Sequence, residues 1–343
     1  MLLTFEQYAE VPSKMHIFYR EAFAALAVKH DASKGAYRRL LKTGLTNDRF
    51  ADYSAEFCWR SYHDEKFELT EAEFFKLFSD LKEPHKNLLE NATGQAFLFV
   101  LCSNMCLMFR EGGKYYFTHQ TFQEYFCALF FSKQKDKFLP AIGDFFENRH
   151  NRIYEDKTFE MLYSISPDKV EEYIFIPFLT NLYERCDRED GFWTFSEIMY
   201  HHIRYQRGET DAAILNTPTS YLFNFIKKLK GFYFTYCDDL PHSKSLVTEE
   251  YIWGTDQDGC EVLFPISELN IAFTDDYGYP EIVGWEYEFE VEQIRKEPEE
   301  YKDLLTSLNQ NSILKQEYYE LRAYLSELLV KQKPGDISLL DLL

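Results

Sequence analysis

A group of polar residues stands at a predicted strand-to-helix junction in residues 115–131. Thr121 and Glu124 have the spacing of a capping box, which predicts that Thr121 caps the following helix and that Glu124 completes the cap. Gln123 and Glu124 are then expected in the first turn, opposite the apolar face of the helix. The aromatic residues just before the junction predict a short strand.

His119 lies two residues before that predicted cap. A side chain there is close to the unpaired amides and the positive dipole end of the helix, both of which attract anions. An imidazole can donate a hydrogen bond to a phosphate oxygen, and its protonation would be coupled to the phosphate. The alternative is structural, with His119 packed between the hairpin and the helix and bonded to a backbone carbonyl.

No other cluster in the sequence has the residue types and spacing of a catalytic or metal site. His201-His202 is predicted to lie on a helix, with no third ligand at metal spacing. Cys102 and Cys106 lie in an apolar run, which favours buried free thiols over a metal pair. No G-x-S-x-G motif occurs and no cysteine has a convincing histidine partner. We therefore predict no catalytic residue and no metal site in this chain.

The composition argues against several classes of function. Hydrophobic residues make up 45% and aromatic residues 18% of the 343 residues, which is typical of a globular chain. The formal charge of −20 repels phosphate backbones, and the lack of a basic patch disfavours nucleic acid as a partner. No apolar run reaches about 18 residues, so no membrane span is predicted. The seven cysteines are scattered without a C-x-x-C pair, which fits a reducing cytoplasm.

The elements predicted before residue 132 are mostly helical. Thr70-Glu71-Ala72-Glu73 has a second capping-box pattern, which predicts the start of a helix. Gly112-Gly113 stands between two β-like runs, which predicts a hairpin over about 106–117. The order helix, helix, hairpin, helix is that of a winged-helix module, with the hairpin as its wing.

The pattern of the sequence changes at about residue 191. Residues 133–190 predict a helical array, whereas residues 191–343 combine turn signals with β-like runs and predict a mixed α/β domain. Short strands and a long final helix are predicted at 251–253, 261–264, 282–285, 287–291 and about 299–330. The predicted fold class is α+β, mostly α: a helical bundle with a winged-helix module, then the helical array and the mixed domain.

Three stretches within residues 12–131 resemble the segment that follows the nucleotide-binding core in bacterial NACHT-type STAND NTPases, which are relatives of the NOD-like receptors. The stretches are PSKMHIFYREAFAALA (12–27) with KHDASKGAYRRLL after it, FADYSAEFCWRSY (50–62) and YFTHQTFQEYFCALFF (116–131). The last one is similar to the family signature Y-x-F-x-H-x-[ST]-F-Q-E-Y-F-A-A. Beyond about residue 150 the resemblance rests on position alone, because these proteins place a variable sensor region there.

The resemblance implies a role for one residue and a division of the chain. The histidine at 119 would contact the terminal phosphate of bound ADP and help to lock the inactive, closed state. Residues 1–9 would be the last helix of a truncated NACHT core, and 10–132 a helical linker plus the winged-helix domain. Residues 133–190 would be a helical connector, and 191–343 a C-terminal sensor-like domain.

The nucleotide-binding motifs of that family are absent from this sequence. It contains no G-x-x-x-x-G-K-[ST] loop and no hydrophobic strand ending in paired acids that could hold Mg²⁺. We therefore expect no ATP hydrolysis by the chain alone, and ATP or ADP with Mg²⁺ as cofactors only in a complete protein. The expected partners there are the NACHT core, an upstream effector domain and a phage protein as ligand.

These expectations lead to a first hypothesis and an alternative. The first is a regulatory and sensor portion of an anti-phage NACHT protein that holds the ADP-bound core inactive until a ligand is sensed. The alternative is a stand-alone helical interaction module without nucleotide dependence, in which the NACHT-like motif is a retained packing solution. An enzyme within residues 190–300 ranks last, because no site constellation is visible there.

Overall fold

A computed structural model gives the fold of the chain. The described residues are 14–32, 41–149, 156–188, 191–200, 202–208, 212–215, 219–231, 250–255, 261–265, 284–296 and 313–332. The predicted core helix at 1–9 lies outside these ranges, and so does the start of the helix predicted over 299–330.

The helices and strands follow each other in two groups along the chain. The helices and strands up to residue 200 are α1 (Met15–Ala32), α2 (Asn47–His63), β1 (Glu68–Thr70), α3 (Glu71–Lys82), α4 (Gly94–Phe99), β2 (Met108–Glu111), β3 (Lys114–Phe117), α5 (Gln120–Ser132), α6 (Leu139–Glu147), α7 (Thr158–Ile165), α8 (Pro167–Val170), α9 (Ile176–Arg188) and α10 (Gly191–Tyr200). After them come β4 (His202–Gly208), β5 (Ala212–Leu215), α11 (Tyr221–Lys230), β6 (Glu250–Thr255), β7 (Glu261–Pro265), β8 (Gly284–Glu290), α12 (Val291–Lys296) and α13 (Ile313–Gln332). The prediction of a mostly helical α+β fold is confirmed.

Residue contacts divide the chain into two compact units. The first unit consists of Met1–Ile142 and Arg152–Tyr173, and the second of Gly143–Asn151 and Ile174–Leu343. The four-part division drawn from the sequence stays a prediction. None of the described helices has the length and apolarity needed to cross a membrane.

A small antiparallel sheet in the first unit has the strand order β1-β3-β2. Strands β2 and β3 form the predicted hairpin, with Met108 opposite Phe117 and Glu111 opposite Lys114. The turn needs glycine, because Gly112 and Gly113 have φ angles of 55° and 84°, in the left-handed region. The hairpin predicted over about 106–117 is therefore confirmed.

Helix α3 begins with the capping box that its sequence predicts. The Glu73 amide donates to Thr70 Oγ1 at 3.3 Å, and the Thr70 amide donates to Glu73 Oε2 at 2.9 Å. Thr70 is also the last residue of β1, so the strand leads directly into the helix. The box satisfies two backbone donors that the start of the helix would otherwise leave unpaired.

The core of the first unit is built on aromatic rings. Phe97 of α4 contacts Phe50 and Phe57 of α2, with ring centroids 5.0 and 5.7 Å apart, and Phe78 of α3 at 5.2 Å. Helix α5 packs on α2 as well, where Trp59 meets Phe131 edge to face at 4.7 Å. This contact packs the last turn of α5 against α2.

The second unit contains an antiparallel sheet with the strand order β5-β4-β8-β6-β7. The strands predicted at 251–253 and 261–264 are confirmed, whereas the two predicted at 282–285 and 287–291 are a single strand, β8. The helix predicted at His201-His202 is wrong, because His202 opens β4 and pairs with Glu290 of β8.

Helix α13 completes the core of the second unit. The ring of Tyr318 contacts Phe195 of α10 at 5.4 Å, and the Tyr183 hydroxyl of α9 donates to the Tyr318 carbonyl at 2.6 Å. Phe195 and Leu321 are fully buried, at 0% exposure. Burial of each such side chain stabilises the unit by roughly 1.5–3 kcal/mol.

Candidate functional site

Helix α5 starts earlier than the sequence predicts. Its first residue is Gln120, and His119 occupies the N-cap position with extended φ and ψ angles of −138° and 131°. The first bond of the helix start runs from the Phe122 amide to the His119 carbonyl at 3.0 Å. Thr121 is therefore the second residue of the helix and not its cap, which corrects the prediction.

The hydroxyl of Thr121 is used for a tertiary contact instead. It shares a hydrogen bond with the Tyr19 hydroxyl of α1. The Tyr19 ring also meets Phe122 edge to face at 4.9 Å and stacks on Tyr125 at 6.0 Å. The first two turns of α5 are thus held against α1 by one hydrogen bond and two ring contacts.

Glu124 does not close a cap on its own helix, which is a second correction. Its side chain is buried, at 2% exposure, and its Oε2 accepts a hydrogen bond at 3.3 Å from the backbone amide of Lys157. Lys157 is the residue just before α7, so the carboxylate lies at the positive end of that helix. Asp156 supports the same turn by accepting from the Thr158 amide at 2.7 Å.

Gln123 is fully buried and connects the start of α5 to the end of α2. Its Nε2 donates to Ser61 Oγ at 2.8 Å and to the Lys66 carbonyl at 3.0 Å. Its Oε1 is buried and finds no hydrogen-bond partner among the described residues. The expectation that Gln123 and Glu124 lie opposite the buried face is therefore wrong, because both side chains point into the interior.

The strand side of the junction is also held by hydrogen bonds. Thr118 donates through its amide to the Leu107 carbonyl at 2.9 Å and through its hydroxyl to the Cys106 carbonyl at 2.7 Å. Cys106 has a φ angle of 50°, so this turn holds a non-glycine residue in the left-handed region. Thr118 thereby joins the end of the hairpin to the turn that precedes it.

His119 stands between these two fixed flanks with an exposed side chain. The structure does not show the packed histidine that was the structural alternative. The first amides of α5 lie next to it, and those before Phe122 precede the first bond of the helix start. An exposed imidazole beside such amides can donate a hydrogen bond to an anion. The contact with an ADP phosphate stays a prediction.

Among the residues that the structure describes, the other candidates form no comparable arrangement. Within the described ranges, no three His, Cys, Asp or Glu side chains are grouped as a metal would require. Cys102 and Cys106 are both free thiols, and burial raises the pKa of Cys102 to about 11. Cys106 is exposed, so the expectation that both thiols are buried is wrong.

Sequence reasoning did not find the groups that hold the start of α5, which are Tyr19, Ser61 and the Lys66 carbonyl. Tyr19 is 102 residues from Thr121 along the chain, and Ser61 is 62 residues from Gln123. The sequence carries no signal for partners at such separations. The buried Gln123 follows the histidine by four residues, which is one helical turn, and this spacing is the single local sign that the two belong together.

Residues 163–343 match a family model described as Short NACHT-associated C-Terminal domain, family 14. The match covers more than half of the chain. The chain belongs to this family. No curated protein and no solved structure matches the chain.

The family of short NACHT-associated C-terminal domains covers the part of the chain in which the resemblance to NACHT proteins rested on position alone. The matched residues begin within α7 and include the described helices and strands from α8 to α13. His119 and helix α5 lie before the matched residues. Membership in the family therefore supports the NACHT association, and the role of His119 rests on the separate resemblance of residues 116–131.

Proposed function

We propose that this chain is the regulatory C-terminal portion of a NACHT-type STAND NTPase acting in anti-phage immunity in the cytoplasm. The observation that carries the proposal is the family membership of residues 163–343. The signature-like stretch at 116–131 supports it from a different part of the chain. The two features occur in the order expected of a NACHT protein, with the segment after the core first and the C-terminal domain second.

The proposal gives the first unit the role of holding a neighbouring nucleotide-binding core in its inactive state. The hairpin β2–β3 and helices α3, α4 and α5 form the winged-helix module in this account. His119 donates a hydrogen bond to the terminal phosphate of ADP bound in the core, and its exposure supports this role. A contact made only with ADP in the closed state shifts the equilibrium toward that state.

The second unit is the sensor in this proposal. A phage protein that binds it must prefer the open state, since a ligand shifts an equilibrium only through its different affinities for the two states. An effector domain elsewhere in the protein produces the response. ATP hydrolysis, with Mg²⁺, belongs to the core and not to this chain, whose sequence has no phosphate-binding loop.

A first test is to read the coding sequence upstream of Met1 for an in-frame G-x-x-x-x-G-K-[ST] motif. Its presence supports the proposal. Its absence favours the alternative of a stand-alone helical interaction module without nucleotide dependence. Measurable ATP turnover by the purified 343-residue chain would also contradict the proposal.

The decisive test compares ADP binding by the full-length protein and by its His119→Ala variant in titration calorimetry. A hydrogen bond to a charged group contributes about 1.5–3 kcal/mol, so we expect the dissociation constant to rise roughly 10- to 150-fold. Gln120→Ala is the matched control, because Gln120 is the exposed neighbour of His119 at the same helix start. Equal ADP affinity with alanine at 119 would show that the phosphate contact does not exist.

The effector response of cells, with and without phage infection, provides the functional readout of the same pair of variants. If His119 stabilises the inactive state, its loss shifts the protein toward the active state before any ligand is present. Cells that express full-length His119→Ala are then expected to show the effector response without infection, whereas Gln120→Ala cells show it only after infection. Identical responses from the two variants would contradict the locking role.

A further inference from the structure

The two acceptors of the Gln123 amide are themselves fixed in one tight turn. Helix α2 ends at His63, and the Lys66 amide returns to the Ser61 carbonyl at 2.8 Å. Glu65 makes this possible by adopting a φ angle of 56°, in the left-handed region. The Ser61 hydroxyl is held as well, because it donates to the Cys58 carbonyl at 3.0 Å. Gln123 therefore bonds to a rigid part of the unit.

If only packing were required, a buried glutamine would cost more folding free energy than an apolar side chain. Its Oε1 has no partner among the described residues, and an unsatisfied buried acceptor destabilises the fold. An apolar side chain of similar size would fill the same space without that penalty. The Gln123 amide can do one thing that an apolar side chain cannot. Its two hydrogen bonds fix both the rotation of α5 about its axis and its height along α2.

The exposed His119 depends on that rotation and height. It is the residue just before α5 and lies one helical turn before Gln123. On its other side, the two hydrogen bonds of Thr118 fix the chain that enters the helix. The backbone of His119 is thus held from both directions, while its side chain stays free to meet a ligand.

We propose that Gln123 is a positioning residue for His119, which sets the place of the imidazole relative to a nucleotide phosphate by tying the first turn of α5 to the end of α2. This inference rests on the proposed function of His119. Thr118 acts in the same way from the strand side. Neither residue touches the nucleotide, and both act through the backbone that carries the histidine.

The test is a double-mutant cycle on ADP binding by the full-length protein, with Gln123→Met and His119→Ala alone and together. Methionine keeps the volume of glutamine and removes both hydrogen bonds. Residues coupled in one network interact measurably, so we expect Gln123→Met to weaken ADP binding about three- to thirtyfold. In the His119→Ala background the same change is expected to have no further effect.

Gln134→Met is the matched control. Gln134 lies just beyond the other end of α5, where its Nε2 donates to the Phe130 carbonyl at 2.9 Å. Gln134→Met removes a glutamine hydrogen bond of the same kind but leaves the start of α5 unchanged, so we expect unchanged ADP affinity. Each variant is first checked for cooperative thermal unfolding. If Gln123→Met does not fold, Thr118→Val replaces it in the same cycle.

The outcomes separate this inference from the proposed function. If His119→Ala weakens ADP binding and the positioning variant does not, the proposed function stands and the inference is overturned. If the positioning variant weakens binding equally in the wild-type and the His119→Ala backgrounds, it acts through general stability, and the inference is again overturned. If His119→Ala has no effect, both are overturned. Loss of the Gln123 effect in the His119→Ala background supports the inference.

Discussion

Lys227 Nζ lies 2.5 Å from Glu317 Oε1 in the interior of the second unit. The Tyr200 hydroxyl donates to the other carboxylate oxygen, and Lys227 Nζ also reaches this hydroxyl at 3.1 Å. Burial, together with the nearby Glu317 charge, raises the pKa of Tyr200 well above its usual range. The three side chains connect α10, α11 and α13, and they keep the Glu317 charge paired.

We expect Lys227→Met to destabilise the second unit by about 3–5 kcal/mol, because it leaves the Glu317 carboxylate buried without its cation. Urea unfolding followed by circular dichroism measures the change. The double variant Lys227→Met/Glu317→Leu removes both charges and should recover a large part of the loss. A double variant as unstable as the sum of its parts would contradict this account.

Lys296→Met is the control for that experiment. Lys296 and Glu292 also lie 2.5 Å apart in the second unit, but their side chains are 69% and 59% exposed, against 16% and 3% for Lys227 and Glu317. An exposed pair contributes at most about 1 kcal/mol. The comparison thus separates the effect of burial from that of distance.

Glu124→Ala tests which helix this carboxylate caps. Removing it leaves the Lys157 amide at the start of α7 without its acceptor. We therefore expect the free energy of unfolding to fall by about 1–3 kcal/mol. Hydrogen exchange followed by mass spectrometry should show faster exchange in the first turn of α7. If exchange became faster in the first turn of α5 instead, Glu124 would cap its own helix as the sequence predicts.

The Glu73 carboxyl should titrate far below its usual range. The Lys66 ammonium, followed by the amide and hydroxyl of Thr70, lowers its pKa to about 2 from the ordinary value of 4.5. The folded pKa lies below the unfolded one, so this stabilisation is present above pH about 4.5 and is lost as the pH falls toward about 2. NMR titration of the carboxyl carbon checks the value, and Lys66→Met should raise it more than Thr70→Ala does. A larger rise with Thr70→Ala would reverse this order of causes.

The cysteines should differ sharply in their reactivity. Cys106 is exposed, whereas Cys58 is 2% exposed and burial strongly raises the pKa of its thiol. Alkylation requires an accessible thiolate, so in the native protein peptides that contain Cys106 should be labelled before those that contain Cys58. Cys58 should react only after unfolding in urea. Rapid labelling of Cys58 in native buffer would mean that the α2–α5 interface opens readily.

Two capping-box patterns in this chain show what local sequence can predict. Thr70 and Glu73 form the box because β1 ends at Thr70 and the helix follows at once. Thr121 and Glu124 have the same spacing, but α5 starts at Gln120, which puts Thr121 inside the helix. The difference comes from tertiary partners, since Thr121 bonds Tyr19 and Glu124 bonds the amide that precedes α7.

The hairpin and most of the C-terminal strands could be predicted, since glycine turns and β-branched or aromatic runs determine them locally. The burial of Gln123 could not be predicted. Its polar type and first-turn position indicate a solvent-facing residue, and only the packing of α5 on the end of α2 reverses that. His202 is a similar case, because it pairs with Glu290 of β8, which lies 88 residues later in the chain.

The position of α13 in the core of the second unit has a consequence for biosynthesis. Tyr318 and Glu317 pack against α9, α10 and α11, which leave the ribosome more than 80 residues earlier. Until α13 emerges, the rings of Phe192 and Phe195 lack the tyrosine that contacts them. Newly made chains therefore pass through an interval in which this unit is open and exposes apolar surface, when they depend most on chaperones.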